Sequence, residues 1–253
     1  MPPFTSDALV LRTFKLGETS KVVVLLTRDQ GKLRAVARGA RGPRSRYQSS
    51  LETLSEVRVG LYGRQGADLL RVGECELLHS AFPMAGRSPD AAAALSYFAE
   101  LLDAFAPEGQ AEDAVYRLAA AVTRAGEDGG DCTPLARYLE AWLLRLHGLY
   151  PSLDDCARCG SRLPAGRLVY HSLAHGFVCD GCSPASGPIL AEPVRLALRR
   201  LFREAPAAFA AEAPAAAALQ PLEPFHRALI ERHLERELRS SRVFRELSRE
   251  VHG

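Results

Sequence analysis

The sequence predicts an α+β multidomain chain: an N-terminal five-stranded OB barrel, then an α-helical domain with an inserted four-cysteine zinc module. Three observations predict it. Five short segments rich in Val, Leu and Arg fill the first 80 residues. An Ala- and Leu-rich helical texture takes over after Pro83. Two Cys-x-x-Cys pairs then interrupt that texture between Cys156 and Cys182.

The five segments are residues 7–15, 19–28, 32–39, 55–62 and 68–77. Gly17-Glu18, Gln30-Gly31, a long basic stretch and Gly63-Arg64-Gln65-Gly66 separate them. Two segments alternate clearly. Leu33, Ala35 and Ala37 oppose Arg34, Val36 and Arg38, and Val57, Val59 and Leu61 oppose Arg58, Gly60 and Tyr62. Period two with one apolar face predicts a sheet with one side buried. Five short strands with a longer break after the third fit an OB barrel, an SH3-like barrel being the competitor. The break at 40–54 has room for a short plug helix near 48–54.

Helices are expected over 89–105, 111–125 and 133–147. Asp90 lies near the start of the first, Gly126 and Gly129-Gly130 stop the second, and Thr133 and Gly148 cap the third. The third carries an apolar stripe, Leu135, Leu139, Trp142, Leu143 and Leu146, expected in a core. Residues 192–203, 225–239 and 243–251 continue the pattern, with Leu229, Leu234 and Leu238 as core. Pro206, Pro214, Pro221 and Pro224 cut the intervening stretch into short pieces. The expected divisions are an OB domain at 1–80, a helical domain at 81–150 and 189–253, and a zinc module at 151–188.

Cys156-Ala-Arg-Cys159 and Cys179-Asp-Gly-Cys182 carry the strongest chemical signal. Two such knuckles present four thiolates tetrahedrally, at roughly the 2.3 Å Zn–S distance zinc prefers. Gly160 and Gly181 supply tight turns, and a shell of four thiolates leaves no position for water, so one zinc per chain is expected to be structural. His171 and His175 lie between the knuckles as bystanders. A zinc deaminase would need His-x-Glu near Pro-Cys-x-x-Cys. Here His233-Leu-Glu235 follows the cysteines, and Asp155 and Val178 precede the knuckles. No nucleophile elbow, phosphate loop or dinucleotide fingerprint is present, so no catalytic residue is assigned and no enzyme is expected.

The net charge is only +2, yet residues 1–80 hold 13 Lys/Arg against 8 Asp/Glu. Lys32, Arg34, Arg38, Arg41, Arg44 and Arg46 put six cations into fifteen residues without an acid. Such a run suits a polyanion, because phosphates neutralised by Arg release counterions and give sequence-independent affinity. Phe14, Tyr47 and Tyr62 are candidates to stack on bases or to fill the barrel. Asp7 and Arg12 argue against a secretory leader, and the aliphatic run Val22 to Leu26 is too short for a bilayer span. A soluble intracellular protein is expected. Cys75 and Cys132 stand apart from the paired cysteines.

The order of motifs resembles the RecO family. Leu9-Val-Leu-Arg-Thr-Phe14, Gly17-Glu-Thr-Ser-Lys21, Leu26-Thr27, Gly31-Lys32 and Ala37-Arg-Gly-Ala-Arg41 to Ser45-Arg46 look like its start. Arg137-Tyr-Leu-Glu140, Leu144, Leu146-His-Gly-Leu-Tyr-Pro151, Cys156-Ala-Arg-Cys-Gly160 and Ser240-Ser-Arg-Val-Phe244 look like its later segments. The resemblance implies a DNA repair and recombination mediator of the cytoplasm, at the bacterial nucleoid. Such a protein binds single- and double-stranded DNA and anneals complementary strands. With RecR it helps load RecA onto DNA coated by single-strand-binding protein. The family's DNA-facing surface maps onto Lys21, Arg34, Arg38, Arg41, Arg44 and Arg46, and Lys32 of the basic run joins them as a DNA-binding candidate. The acidic, apolar-ended tail of single-strand-binding protein is expected on the helical domain, with Arg137, Arg145, Arg227 and Arg232 as candidate cations. The alternative is an OB-plus-zinc-ribbon factor of transcription or translation.

Overall fold

The computed structural model describes residues 4–63, 68–183 and 187–252. Part of the expected separator Gly63-Arg64-Gln65-Gly66 lies outside them. The chain divides into two compact units. One comprises Met1–Cys132 with Leu238–Gly253, the other Thr133–Glu237.

The first unit holds a closed barrel of strands β1 (Phe4–Leu16), β2 (Ser20–Thr27), β3 (Gly31–Ala37), β4 (Glu56–Tyr62) and β5 (Leu70–His79), in the order β1-β2-β3-β5-β4. β1 is long enough to pair antiparallel with both β2 and β4, and its register shifts between Val10 and Arg12. A bulge there sharpens the coil that lets one strand serve two neighbours. β3 and β5 close the barrel through a short parallel ladder at Ala35 and Leu70. Ala8, Val10, Val23, Leu25, Val57 and Val59 face its interior.

Tyr47 takes the second of its two candidate roles and fills the barrel. It is 2% exposed, belongs to the barrel core and donates its hydroxyl to the Val72 carbonyl at 3.2 Å, so it is unavailable for base stacking. A 3-10 turn, Gln48–Leu51, follows it at the expected plug position. Phe14 and Tyr62 remain exposed.

Alternation with one buried face holds for β3 and β4. It does not describe β1 and β2. Leu9, Leu11, Val24 and Leu26 are buried although they do not belong to the inner cluster. The run Val22 to Leu26 is what a strand buried on both faces requires. Helices α2 (Pro89–Phe105) and α3 (Asp113–Glu127) pack on β1, after a single turn α1 (Phe82–Ala85).

Ser88 caps α2 by accepting from the Ala91 N–H, and Pro89 occupies its first turn. α3 starts later than 111. The segment before it is held to β3, with Lys32 N–H donating to the Pro107 carbonyl and Gly109 N–H to the Lys32 carbonyl. Gly126 does not end α3. It lies inside the helix where Met84 leaves no room for a Cβ, and termination falls at Gly129, with φ +98°. On β4, the Glu56 carboxylate accepts from the Tyr116 hydroxyl at 2.8 Å and from Arg124.

The second unit is opened by α4 (Cys132–Leu146). Thr133 lies within this helix instead of capping it, and Leu146 is exposed, while Leu135, Leu139 and Leu143 are fully buried. Gly148, at φ +70°, turns the chain out of the helix. A small sheet follows, β6 (Leu168–His171), β7 (Gly176–Val178) and β8 (Ile189–Leu190), in the order β7-β6-β8. Then come α5 (Glu192–Leu201), α6 (Pro206–Ala211), α7 (Ala216–Leu219) and α8 (Leu222–Leu234). Pro206 opens α6 and Pro221 precedes α8, as expected, but Pro224 lies within the first turn of α8, where its missing N–H costs no helical bond, and does not cut the chain.

The last helix, α9 (Arg239–His252), belongs to the first unit and packs on α2. The Tyr97 and Phe244 rings stack at 5.6 Å. The Glu100 carboxylate accepts from the backbone N–H groups of Arg239 and Ser240, at 3.2 and 2.8 Å. A carboxylate from α2 thus satisfies free donors at the start of α9 and meets the positive end of its dipole.

Candidate metal centre and nucleic-acid interface

The four cysteine sulfurs of Cys156, Cys159, Cys179 and Cys182 lie within 4.8 Å of one another. Two local turns put them there. Gly160, at φ +72°, donates its N–H to the Cys156 carbonyl at 2.9 Å. Cys179 leaves β7 into a 3-10 turn, Asp180–Cys182, closed by the Cys182 N–H on the Cys179 carbonyl. Gly181 sits in that turn, as expected, though only Gly160 uses the positive φ open to glycine. The knuckles are drawn together by the Ala157 N–H on the Phe177 carbonyl at 2.9 Å, and a Cβ at Gly176 would meet that of Ala157 at 2.5 Å.

The donor set fits a soft, tetrahedral metal. Cys159 and Cys179 sulfurs are 3.7 Å apart. Four thiolates at the usual Zn–S distance stand about 3.8 Å from one another, whereas a disulfide needs about 2.05 Å. Burial pushes the Cys156 thiol up, but N–H groups of Cys159, Cys179 and Arg158 directed at its sulfur outweigh this and bring it down to about 6. Its neighbours Cys159 and Cys179 push Cys182 the other way, up to about 12. A metal binds such sulfurs as thiolates and releases their protons. His171 and His175 are engaged elsewhere. His171 Nδ1 accepts from the Ala174 N–H, and His175 Nδ1 lies 3.1 Å from Arg232 Nη1.

The basic set divides into three kinds. Arg38 and Arg44 are exposed and make no ion pair among the described residues, and Lys21 is half-buried on β2. Arg41 and Arg46 have local duties. Arg41 Nη1 donates to the Gly17 and Glu18 carbonyls at 2.9 and 2.8 Å, clipping its loop to the β1–β2 turn. Arg46 lies over the Tyr47 ring and donates to its hydroxyl. Lys32 and Arg34 meet acids distant in sequence. Lys32 Nζ donates to the Asp103 carbonyl at 2.6 Å and faces its carboxylate, while Arg34 donates to Glu108 at 2.7 Å. The run is free of acids only along the sequence.

In the second unit, Arg137 is buried and paired with Glu140 at 2.8 Å, so it does not rim a groove. Arg227 pairs with Glu223, and Arg232 donates to the Tyr170 hydroxyl. Arg145 is exposed and stacks over Trp142 and Phe202. It lines a cavity of about 350 Å³ together with Tyr150, Pro151, Arg199, Phe202 and Arg203. The sequence reading missed Arg199, Phe202 and Arg203, whose signal is the Arg-rich end of α5 running into an aromatic.

Comparison with known proteins agrees with this architecture. Residues 1–81 match the family model described as "Recombination protein O N terminal", and residues 86–242 match "Recombination protein O C terminal". The chain belongs to the RecO family. A "DNA repair protein RecO" of Koribacter versatilis is 34% identical over 92% of this chain and 94% of its own length. That of Geobacter sulfurreducens is 33% identical over 79% of this chain and 82% of its own. One from Anaeromyxobacter dehalogenans is 33% identical over 94% of each. In this RecO-family chain, no described helix is long and apolar enough to cross a membrane.

Proposed function

We propose that the chain is a mediator of DNA repair and homologous recombination. It binds single- and double-stranded DNA and anneals complementary strands. With RecR it assists RecA loading onto DNA coated by single-strand-binding protein, in the cytoplasm at the nucleoid. The observation that carries this reading is a closed five-stranded barrel with an exposed basic loop, whose Arg38 and Arg44 make no ion pair among the described residues, in a chain similar to RecO proteins along nearly its whole length. Family membership favours it over a transcription or translation factor.

No covalent chemistry is needed. Two complementary strands repel through their phosphates. A surface that neutralises both lowers that barrier and raises their local concentration, and base pairing supplies the favourable free energy. Residues 1–80 form the DNA-binding domain in this reading. Arg38 and Arg44 are the principal contacts, Lys21, Arg41 and Arg46 flank them, and Lys32 and Arg34 form the margin next to α2. The helical residues 81–150 and 189–253 carry the partner site, and 151–188 the structural zinc.

The tail of single-strand-binding protein needs cations beside an apolar wall. The cavity bordered by Arg145 and Arg203, and by Arg199 in its ion pair with Asp154, with Phe202 and Tyr150 as walls, offers both. The test is fluorescence-monitored annealing of complementary oligonucleotides precoated with single-strand-binding protein. Annealing well above the uncatalysed rate, without nucleotide, is expected. Binding of DNA with no annealing would favour the transcription or translation alternative.

A further inference from the structure

The segment joining α2 to α3 faces the barrel's basic margin with carboxylates. Glu108 pairs with Arg34 at 2.7 Å, and Asp113, the first residue of α3, pairs with Arg28 at 2.8 Å and with Arg117 of its own helix at 2.7 Å. Asp103, at the end of α2, takes Arg12 at 3.0 Å and Lys32 at 3.4 Å. Four barrel cations from β1, the β2–β3 turn and β3 thus meet acids from one short stretch.

These pairs are of two sorts. Lys32 and Asp103 have side chains 12% and 18% exposed, and Lys32 also donates to the Asp103 carbonyl. That contact is an anchor. Arg34 and Glu108 are 55% and 60% exposed, and Arg28 and Asp113 are 48% and 47% exposed. Exposed pairs of this kind add little stability and exchange partners readily.

Nor does the connector need these pairs to stay in place. Its main chain is held by the Lys32 N–H on Pro107 and the Gly109 N–H on Lys32. Gly31, at φ +71°, fits against it so closely that a Cβ would lie 2.0 Å from the Gln110 carbonyl oxygen. Backbone contacts therefore fix where the carboxylates stand, and the ion pairs are additional.

Resting on the DNA-binding reading above, we propose that the α2–α3 connector is a built-in competitor for the barrel's DNA face. Glu108 occupies Arg34 of that face in the free protein, Asp113 occupies Arg28 at the adjoining β2–β3 turn, which we add to the face, and incoming phosphates displace both. The fixed carboxylates weaken binding of isolated phosphates and favour a strand that also engages Arg38 and Arg44. The device sets a threshold for length and charge of the bound strand.

The test measures single-strand binding by anisotropy over a salt series, using the full chain, the double variant Glu108→Gln with Asp113→Asn, and a control, Glu192→Gln with Glu212→Gln. The control makes the same change in net charge on the second unit. The connector variant is expected to bind several-fold more tightly at low salt. Its salt slope should stay near that of the starting protein, because once the carboxylates are displaced Arg34 and Arg28 neutralise the same phosphates in both. Its gain should be largest for short oligonucleotides. Affinity equal to that of the starting protein, or an equal gain in the control, would overturn the proposal while leaving the DNA reading standing. Absence of binding by the unaltered protein would instead overturn the DNA reading.

Discussion

The Tyr150 hydroxyl lies 2.9 Å from His226 Nε2, inside the second unit. On the other side of the ring, His226 Nδ1 lies 3.0 Å from the Glu140 carboxylate, which also pairs with Arg137. These distances fit a neutral imidazole that donates to Glu140 and accepts from Tyr150. Burial lowers the His226 pKa below its ordinary value, against the hydrogen bond it donates to Glu140, which raises it.

Stability of the second unit should therefore depend on pH in mildly acid solution. The unfolded chain takes up a proton on this histidine below roughly pH 6.5, where the folded one resists it. Stability is full above that value and falls as pH drops toward the folded-state pKa. Thermal melts should show the decline, and His226→Gln, which does not titrate, should flatten it. An unchanged slope in the variant would contradict the assignment.

Metal analysis of protein purified without chelator should find about one zinc per chain. Cys156→Ser should lower the stability of the second unit by several kcal/mol, because ligand loss removes metal-coupled folding energy. DNA affinity should change far less. Metal-free protein with four freely titrating native thiols would refute the site.

The barrel should not survive excision. Leu9, Leu11, Val24 and Leu26 are buried outside the barrel's inner cluster, and α2 and α3 pack on β1. A fragment of residues 1–80 leaves that face bare, and exposed apolar surface of this kind drives aggregation. Removing residues 239–253 should destabilise the first unit by about 2–4 kcal/mol, through loss of the packing around Phe244. Equilibrium denaturation measures the second effect. A soluble fragment 1–80 that melts cooperatively would show the cover to be dispensable.

Arg145→Glu and Arg199→Glu should each weaken an acidic tail peptide about ten-fold or more, by replacing a rim cation with a repelling charge. DNA binding should be unaffected. Calorimetry with the peptide and full-length protein reads the effect, and unchanged affinity in both variants would move the site elsewhere.

Much of this architecture was legible because it is local. The helix over 89–105 has its cap, Ser88, and its first-turn proline adjacent in the chain. The alternation of β3 and β4 lies within single strands. The cysteine knuckles are defined by spacing. What escaped the sequence depends on distant partners. Nothing near Lys32 or Arg34 announces Asp103 or Glu108, about seventy positions away. Tyr47 looks like a stacking residue beside arginines until the barrel closes over it. Arg137, by contrast, stands three residues from Glu140, a helical spacing that already favours an ion pair over a free cation.

The central claim is that the exposed basic loop of the barrel binds DNA and drives annealing. The most direct measurement compares the full chain with Arg38→Glu plus Arg44→Glu, leaving Arg41 intact because it shapes the loop. Single-strand affinity and annealing rate are followed over a salt series. The account predicts a loss of affinity of about ten-fold or more at low salt, a salt slope shallower by about 1.4, and a parallel fall in annealing rate, with the melting temperature unchanged. Undiminished affinity and annealing in a folded variant would contradict it.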